Sequence, residues 1–423
     1  MSNFIGMKNI FLLWQKFRFW GLRGVFNKIF PEGRARKLKA WLSENAKNYP
    51  LLPKEGFTII ADFSRRDALM KTMRDIVIAL HKLGFPYQTF NTAKDGYNEL
   101  VGDTEIFTPI SEFRILKYTH TLEMHMSIVP KSLHLSRWVI RFWEFDTGLL
   151  ETFPNLQKDV GWIAMSDFNF EYFKSIAPVG VKVQKLLYPY RFTSCQLDAS
   201  SIVRQRYNIP QDAFVVFYNF ALGYSRKNPR AVVRAFSKFH EECPKAYLLL
   251  KVSFSAKYPK QYAMLLHDIA SAKIESCTSI LNMWLDDVEI MNVTNMCDVY
   301  CSLHRGEGFG LGIAEAMSLG KAVVVTDWSA SKEFAKPDNS IGVPYRLQPP
   351  TPSTEDDGPD DFSMKAHVSQ WAEADIDYAA ASLKELFLNA PMRARLGKAA
   401  QQYISDAFSL DKFKISISEL LKA

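Results

Sequence analysis

The 423-residue sequence is poor in cysteine, with five, at positions 195, 243, 277, 297 and 301. An odd, scattered set excludes a disulfide scaffold and favours a reducing compartment, with the thiols as small buried side chains. Cys297 and Cys301 lie four apart, but no companion Cys-His pair completes a zinc site. Runs of about 18 or more apolar residues are missing too, so no transmembrane helix is expected. The opening Met1-Ser-Asn-Phe-Ile-Gly-Met-Lys8 makes a poor secretory signal. Its apolar run, Ile10 to Trp14, is soon broken by Lys16 and Arg18. No internal repeat is evident. Hydrophobic residues are plentiful, at 48%, which excludes global disorder and supports a large core. The length suits two domains of about 200 residues each.

A basic excess is also absent from most of the chain. Residues 1–50 carry ten Lys/Arg against two Asp/Glu, while the whole chain has a net charge of only +7. The positive charge therefore belongs to the leader, and the remainder is slightly acidic. Nucleic acid is a poor partner for such a chain. Within residues 7–45, bulky groups such as Phe11, Trp14, Phe17, Trp20 and Phe26 mix with Lys16, Arg18, Arg23, Lys28 and Arg34. Two readings stand: an interfacial helix on an anionic membrane surface, or a helix packed on the first domain with its basic face in water.

Further along, Gly56-Phe-Thr-Ile-Ile-Ala61 reads as a first core strand, followed by a helix over about 66–83 that Gly84 closes. Strands and helices alternate to about residue 187, as in a doubly wound α/β domain. Residues 188–200 read as a linker, and a second α/β unit opens at Phe214-Val-Val-Phe-Tyr218. Residues 349–362 form an acidic, proline-rich insertion that reads as a solvated loop. The expected organisation is a leader (1–50), a first Rossmann-like domain (51–190), a second (191–400) and a final helix (401–423).

The most informative segment is His304-Arg-Gly-Glu-Gly-Phe-Gly-Leu-Gly-Ile-Ala-Glu-Ala-Met-Ser-Leu-Gly-Lys321. A short apolar strand, Val299 to Leu303, precedes it, and its second half reads as a helix. Strand, glycine loop and helix start together make an anion site, with free N–H groups and the positive end of the helix dipole aimed at the ligand. Gly308 and Gly310 let the backbone come close. Glu307 and Glu315 flank the loop eight residues apart. Carboxylates bind hydroxyls where backbone binds phosphate, a pairing that suits a sugar nucleotide.

These residues resemble the E-x7-E motif of the retaining nucleotide-sugar glycosyltransferases of family 4, which have the GT-B fold. Asn219 to Phe236, with Arg226 and Lys227, is similar to the basic loop that opens the family's second domain. Leu248-Leu-Leu-Lys251 is similar to its strand ending in lysine. Thr326 to Phe334, Val343 to Leu347, Trp143-Glu144 and Trp371 to Asp375 resemble bacterial members that build surface polysaccharides. The likeness covers roughly residues 55–420.

The resemblance implies two Rossmann-like domains around a cleft, with the last helix crossing back onto the first. It implies transfer of a hexose from a nucleoside diphosphate sugar, with retention, onto a saccharide or lipid-linked acceptor at the cytoplasmic face of the membrane. Neither metal nor cofactor is implied. Arg226, Lys227 and Lys251 become candidate cations for the diphosphate, aided by the backbone of Gly308, Phe309, Gly310 and Leu311. Glu315 would bind the ribose, and Glu307 would lie by the donor sugar. Asp375-Ile-Asp377 matches the metal-binding signature of the other common transferase fold, but it sits at a helix start. With Asp286-Asp287 and Asp356-Asp357 it reads as capping or solvated acids.

The chain departs from the family where a glycine-rich turn normally follows the first strand. Here Ala61-Asp-Phe-Ser-Arg65-Arg66 stands instead. Arg65 and Arg66 either hold an anionic acceptor or are surface charges. The usual arginine before the basic-loop lysine is also absent, and Arg226 is the candidate substitute. His120 and Glu144 are candidate acceptor or sugar contacts. Trp284 either flanks a nucleobase or joins the core, the latter being the expectation. The departures leave a second reading, a catalytically silent module that binds a sugar nucleotide or scaffolds a membrane assembly.

Overall fold

The computed structural model describes residues 55–63, 67–91, 120–124, 136–153, 156, 160–189, 196–223, 225–350 and 367–422. The basic leader, Arg65, Arg66, Cys195, the Asp356-Asp357 pair and most of the acidic insertion lie outside them.

Two six-stranded parallel sheets organise the described residues. The first contains β1 (Phe57–Ala61), β2 (Tyr87–Asn91), β3 (His120–Met124), β4 (Ser136–Arg141), β5 (Gly161–Ala164) and β6 (Val183–Lys185). Their order is β2-β1-β3-β4-β5-β6, and every pairing is parallel. The second contains β7 (Phe214–Ala221), β8 (Ala246–Ser253), β9 (Thr278–Leu281), β10 (Val299–Ser302), β11 (Ala322–Thr326) and β12 (Ile341–Val343), in the order β12-β11-β10-β7-β8-β9. Burial explains their composition. Strand β11, Ala-Val-Val-Val-Thr, is buried at every position, as a parallel strand covered on both faces must be.

Helices follow the strands: α1 (Ala68–Lys82), α2 (Leu149–Thr152), α3 (Asp167–Ile176), α4 (Ser200–Arg206), α5 (Pro229–Glu242), α6 (Pro259–Ser271), α7 (Asp287–Met296) and α8 (Leu311–Ser318). An antiparallel pair, β13 (Tyr345–Gln348) and β14 (Trp371–Ala374), then leads to α9 (Ile376–Leu388), α10 (Ala390–Ala407) and α11 (Leu410–Lys422). Asp67 caps α1 by accepting from the Met70 N–H at 3.0 Å, and Gly84 leaves that helix with φ +68°. Asp286 and Asp375 likewise cap α7 and α9, as expected for acids at helix starts. Cys243, Cys277, Cys297 and Cys301 are free, buried thiols. Among the described residues no helix is long and apolar enough to cross a membrane.

Several connections outside the site tie the halves together. Ser416 on α11 donates to the Lys185 carbonyl at 3.3 Å and accepts from the Leu187 N–H at 3.0 Å, so the late helix lies on the edge of the first sheet. Lys185 bonds Asp167 of the first half and Glu333 of the second, each at 2.5 Å. Residues 367–371 cross to the first half as a strap. There the Ser369 N–H donates to Thr147 and the His367 N–H to Thr152. Trp371 is buried among Val139, Trp143, Leu149 and Trp162.

Candidate active site

In the second sheet the chain leaves β7 toward β8 and later returns to β10 on the other side. The carboxyl ends of β7 and β10 therefore border the crevice where open α/β sheets bind ligands. Both singled-out segments open there. After β7 comes a 3-10 turn, Ser225–Lys227, and Asn228 at φ +50° redirects the chain so that Pro229 can start α5. After β10 comes the glycine loop. The two are stitched together: Arg305 N–H donates to the Arg226 carbonyl at 2.7 Å, and Asn228 Nδ2 to the Leu303 carbonyl at 3.1 Å. The Tyr218 hydroxyl holds the Lys227 carbonyl from below at 2.5 Å.

Glu307 is buried where these segments meet. Lys227 Nζ lies 2.5 Å from Oε1 and an Arg226 guanidinium nitrogen 3.2 Å from Oε2. Burial pushes the Glu307 carboxyl up, but Lys227 and Arg226 outweigh that and hold it at about 2. The carboxylate is thus ionised at every physiological pH, a fixed negative charge and a weak base. Burial lowers the Lys227 ammonium, with Glu307 opposing and Arg226 assisting. Arg226 also bonds Glu144 of the first half at 2.9 Å, which brings the second cleft candidate to the cluster. Beside it, His304 is fully buried, its Nε2 2.9 Å from Ser331 Oγ. Burial is the main cause that lowers its imidazole to about 4, so it is neutral.

At its glycines the loop packs tightly against the first half. A Cβ on Gly306 would stand 2.4 Å from the Glu144 carbonyl oxygen, and one on Gly308 3.3 Å from the Trp143 nitrogen. Ser166 donates to the Gly308 carbonyl at 3.0 Å. Gly310 takes φ +94° and opens α8, a conformation open to glycine and costly for others. Phe309 is buried and stacks on Tyr188 of the first half, ring centroids 4.9 Å apart. Leu311 begins the helix.

Glu315, on α8, is also buried. Its environment differs from that of Glu307. The nearest cation is Lys71 of α1, at 3.8 Å, itself bonded to Asp75 at 3.0 Å, and the Tyr188 hydroxyl bonds Asp75 at 2.5 Å. Burial raises the Glu315 carboxyl to about 7. Lys71 opposes that rise, while Asp287 and Asp75 add to it. Sequence reasoning passed over Lys71, because nothing local marks a lysine on a first-domain helix as a neighbour of the glycine-loop helix.

Lys251 is buried near the end of β8, beside Asn219 of β7. It bonds Ser253 at 2.5 Å and lies 5.4 Å from the Trp284 ring centre, and burial lowers its ammonium to about 8. Trp284 is 54% exposed and edge-on to Phe254, not in the core. It follows β9, in the connection to α7. His120 stands at the amino end of β3, edge-on to Phe57 with ring centroids 5.9 Å apart. The strands present their carboxyl ends to the cleft, so His120 lies about 13 Å from it along the strand. Among the described residues no group of three or more His, Cys, Asp or Glu side chains is placed to hold a metal ion.

A buried arginine beside a half-buried lysine, a glycine loop at a helix start and two buried carboxylates can bind an anion that also carries hydroxyls. Residues 200–343 match the family model Glycosyl transferases group 1. A search of curated protein sequences finds no match. Among solved structures, a glycosyltransferase from Rickettsia africae is similar at 14% identity and a TM-score of 0.64, covering 87% of this chain and 98% of its own. HepE from Anabaena, solved with UDP-glucose, is similar at 15% identity and a TM-score of 0.62, over 86% and 99%. Sucrose-phosphate synthase from Thermosynechococcus elongatus is similar at 11% identity and a TM-score of 0.61, over 87% and 98%. The chain therefore has the GT-B architecture of these enzymes, two Rossmann-like domains, with a Glycosyl transferases group 1 domain at residues 200–343.

Proposed function

We propose that this protein is a retaining glycosyltransferase that moves a hexose from a nucleoside diphosphate sugar to a saccharide, the acceptor being lipid-linked and the product a cell-surface polysaccharide. The observation that carries the reading is the meeting of Lys227, Arg226 and Glu307 beside the Gly308–Leu311 backbone, at the switch point of the second sheet. Breaking the anomeric C–O bond leaves negative charge on the diphosphate and positive charge on the sugar. Lys227, Arg226 and the start of α8 stabilise the first. Glu307, ionised, stabilises the second or holds a sugar hydroxyl. Glu315 takes the ribose hydroxyls.

Glu307, held ionised by Lys227 and Arg226, is a weak base, so the departing phosphate oxygen is the candidate to deprotonate the acceptor in a same-face route. No protein nucleophile is assigned. UDP is the first base to test, because HepE was solved with UDP-glucose. The basic leader at residues 7–45 would hold the enzyme on an anionic membrane at the cytoplasmic face.

A thermal-shift screen against UDP-, GDP-, ADP- and dTDP-sugars, with EDTA present, tests the donor reading. A shift with one nucleotide class, lost in Glu315→Ala, is expected. No shift with any donor would refute it.

A further inference from the structure

We infer that Arg305 is a positioning residue that fixes the basic turn of Arg226 and Lys227, and that it ties this turn to the strap joining the two domains. The inference rests on the donor reading above and extends it to a residue that touches no substrate.

Arg305 sits between β10 and Glu307 and makes contacts on two sides. Toward the basic turn, its backbone N–H donates to the Arg226 carbonyl at 2.7 Å and its guanidinium to the Ser225 carbonyl at 2.9 Å. Toward the strap, its Nε bonds and ion-pairs with Glu373 on β14. The guanidinium lies 4.2 Å from the Trp371 ring centre, within cation–π range. Its carbonyl accepts from the Ala372 N–H at 3.1 Å. One side chain thus grips the residue just before Arg226 and Lys227, and a strand whose tryptophan is buried in the first domain.

The consequence is geometric. The two cations sit on a three-residue turn, too short to hold its own shape against two like charges. The Ser225 carbonyl and the Arg226 carbonyl are fixed by Arg305, and Arg305 is fixed by Trp371 and Glu373. The planar guanidinium can serve a carbonyl, a carboxylate and an indole face together, which a lysine ammonium cannot. When the strap seats Trp371 against Trp143 and Trp162, the turn is placed for the diphosphate.

The test compares wild type with Arg305→Met, Arg305→Lys and the milder Glu373→Gln, by calorimetric titration of the full chain with UDP, GDP and ADP and with the matching nucleosides. On the donor reading, the diphosphate and not the nucleoside touches the basic turn. Arg305→Met should weaken the preferred diphosphate about tenfold, the scale of a lost charged hydrogen bond, and leave the nucleoside unchanged. Arg305→Lys should recover little, and Glu373→Gln should lose about threefold with the same selectivity. Equal loss of nucleoside and diphosphate, or no loss, overturns the inference. If wild type binds no nucleoside diphosphate, the donor reading fails by itself. Amide hydrogen exchange over residues 225–228 then decides the positioning: faster exchange in Arg305→Met and Glu373→Gln supports it, and unchanged exchange overturns it.

Discussion

Donor binding should depend on pH through Glu315. In the free protein its carboxyl sits at about 7, because burial disfavours the charge and Lys71 at 3.8 Å compensates only in part. On the proposed donor reading, ribose hydroxyls donate to the ionised form, so the ionised fraction sets the affinity. That fraction is about 10% at pH 6 and about 90% at pH 8, close to a tenfold change, or about 1.4 kcal/mol. The sign follows directly: affinity falls as pH drops through 7, and below it binding releases a proton. Above pH 8 the curve should flatten. Calorimetric titration with intact UDP-glucose reads this, and the proton release appears as a dependence of the binding enthalpy on the buffer. An intact donor is needed because a terminal phosphate itself titrates near about pH 6. Glu315→Gln should bind more weakly at pH 8 and show no slope. A flat wild-type curve, or a slope that survives in Glu315→Gln, would refute the reasoning.

Lys71→Met removes the cation that opposes the rise at Glu315, so the midpoint of the same affinity curve should move upward; a downward or absent shift counts against the Lys71 contact. Glu307→Ala and Lys227→Ala should lower kcat by at least about tenfold, since each removes a charge from the reacting centre; steady-state kinetics that moved only KM would point to a binding role. Gly397→Ala should cost about 1–3 kcal/mol in denaturant unfolding, because its Cβ would stand 2.0 Å from the Gly320 carbonyl oxygen and push α10 off the turn after α8.

The cluster of Arg226, Lys227 and Glu307 at the glycine loop was legible in the sequence because its signals are local. The glycine run between Glu307 and Glu315 marks a strand, a loop and a helix start within twenty residues, and Arg226-Lys227 stands directly before an Asn-Pro helix start. Core strands were legible for the same reason, as short apolar runs. Relations across the cleft were not. Lys71 meets Glu315 only because two separately coded domains close on each other. His120 shows that membership of a strand says nothing about which end faces the ligand. Trp284 shows that residue type does not fix burial: a large apolar side chain beyond the strand end stays in water. Arg305 and Glu373 look like ordinary surface charges until the strap is placed.

The seating of Ser416 against Lys185 and Leu187 bears on how the chain is made. Domains usually fold in order as they leave the ribosome, the earlier before the later. Here the edge of the earlier sheet waits for a helix whose residues are synthesised 231 positions after Lys185. The Lys185 carbonyl and the Leu187 N–H at that edge therefore gain these partners only after the whole second domain has been translated. Unpaired backbone groups on a sheet edge are where strand-to-strand association starts. Cellular yield should thus respond to the speed of translation and to chaperones that shield β6, more than the stability of the finished molecule would suggest.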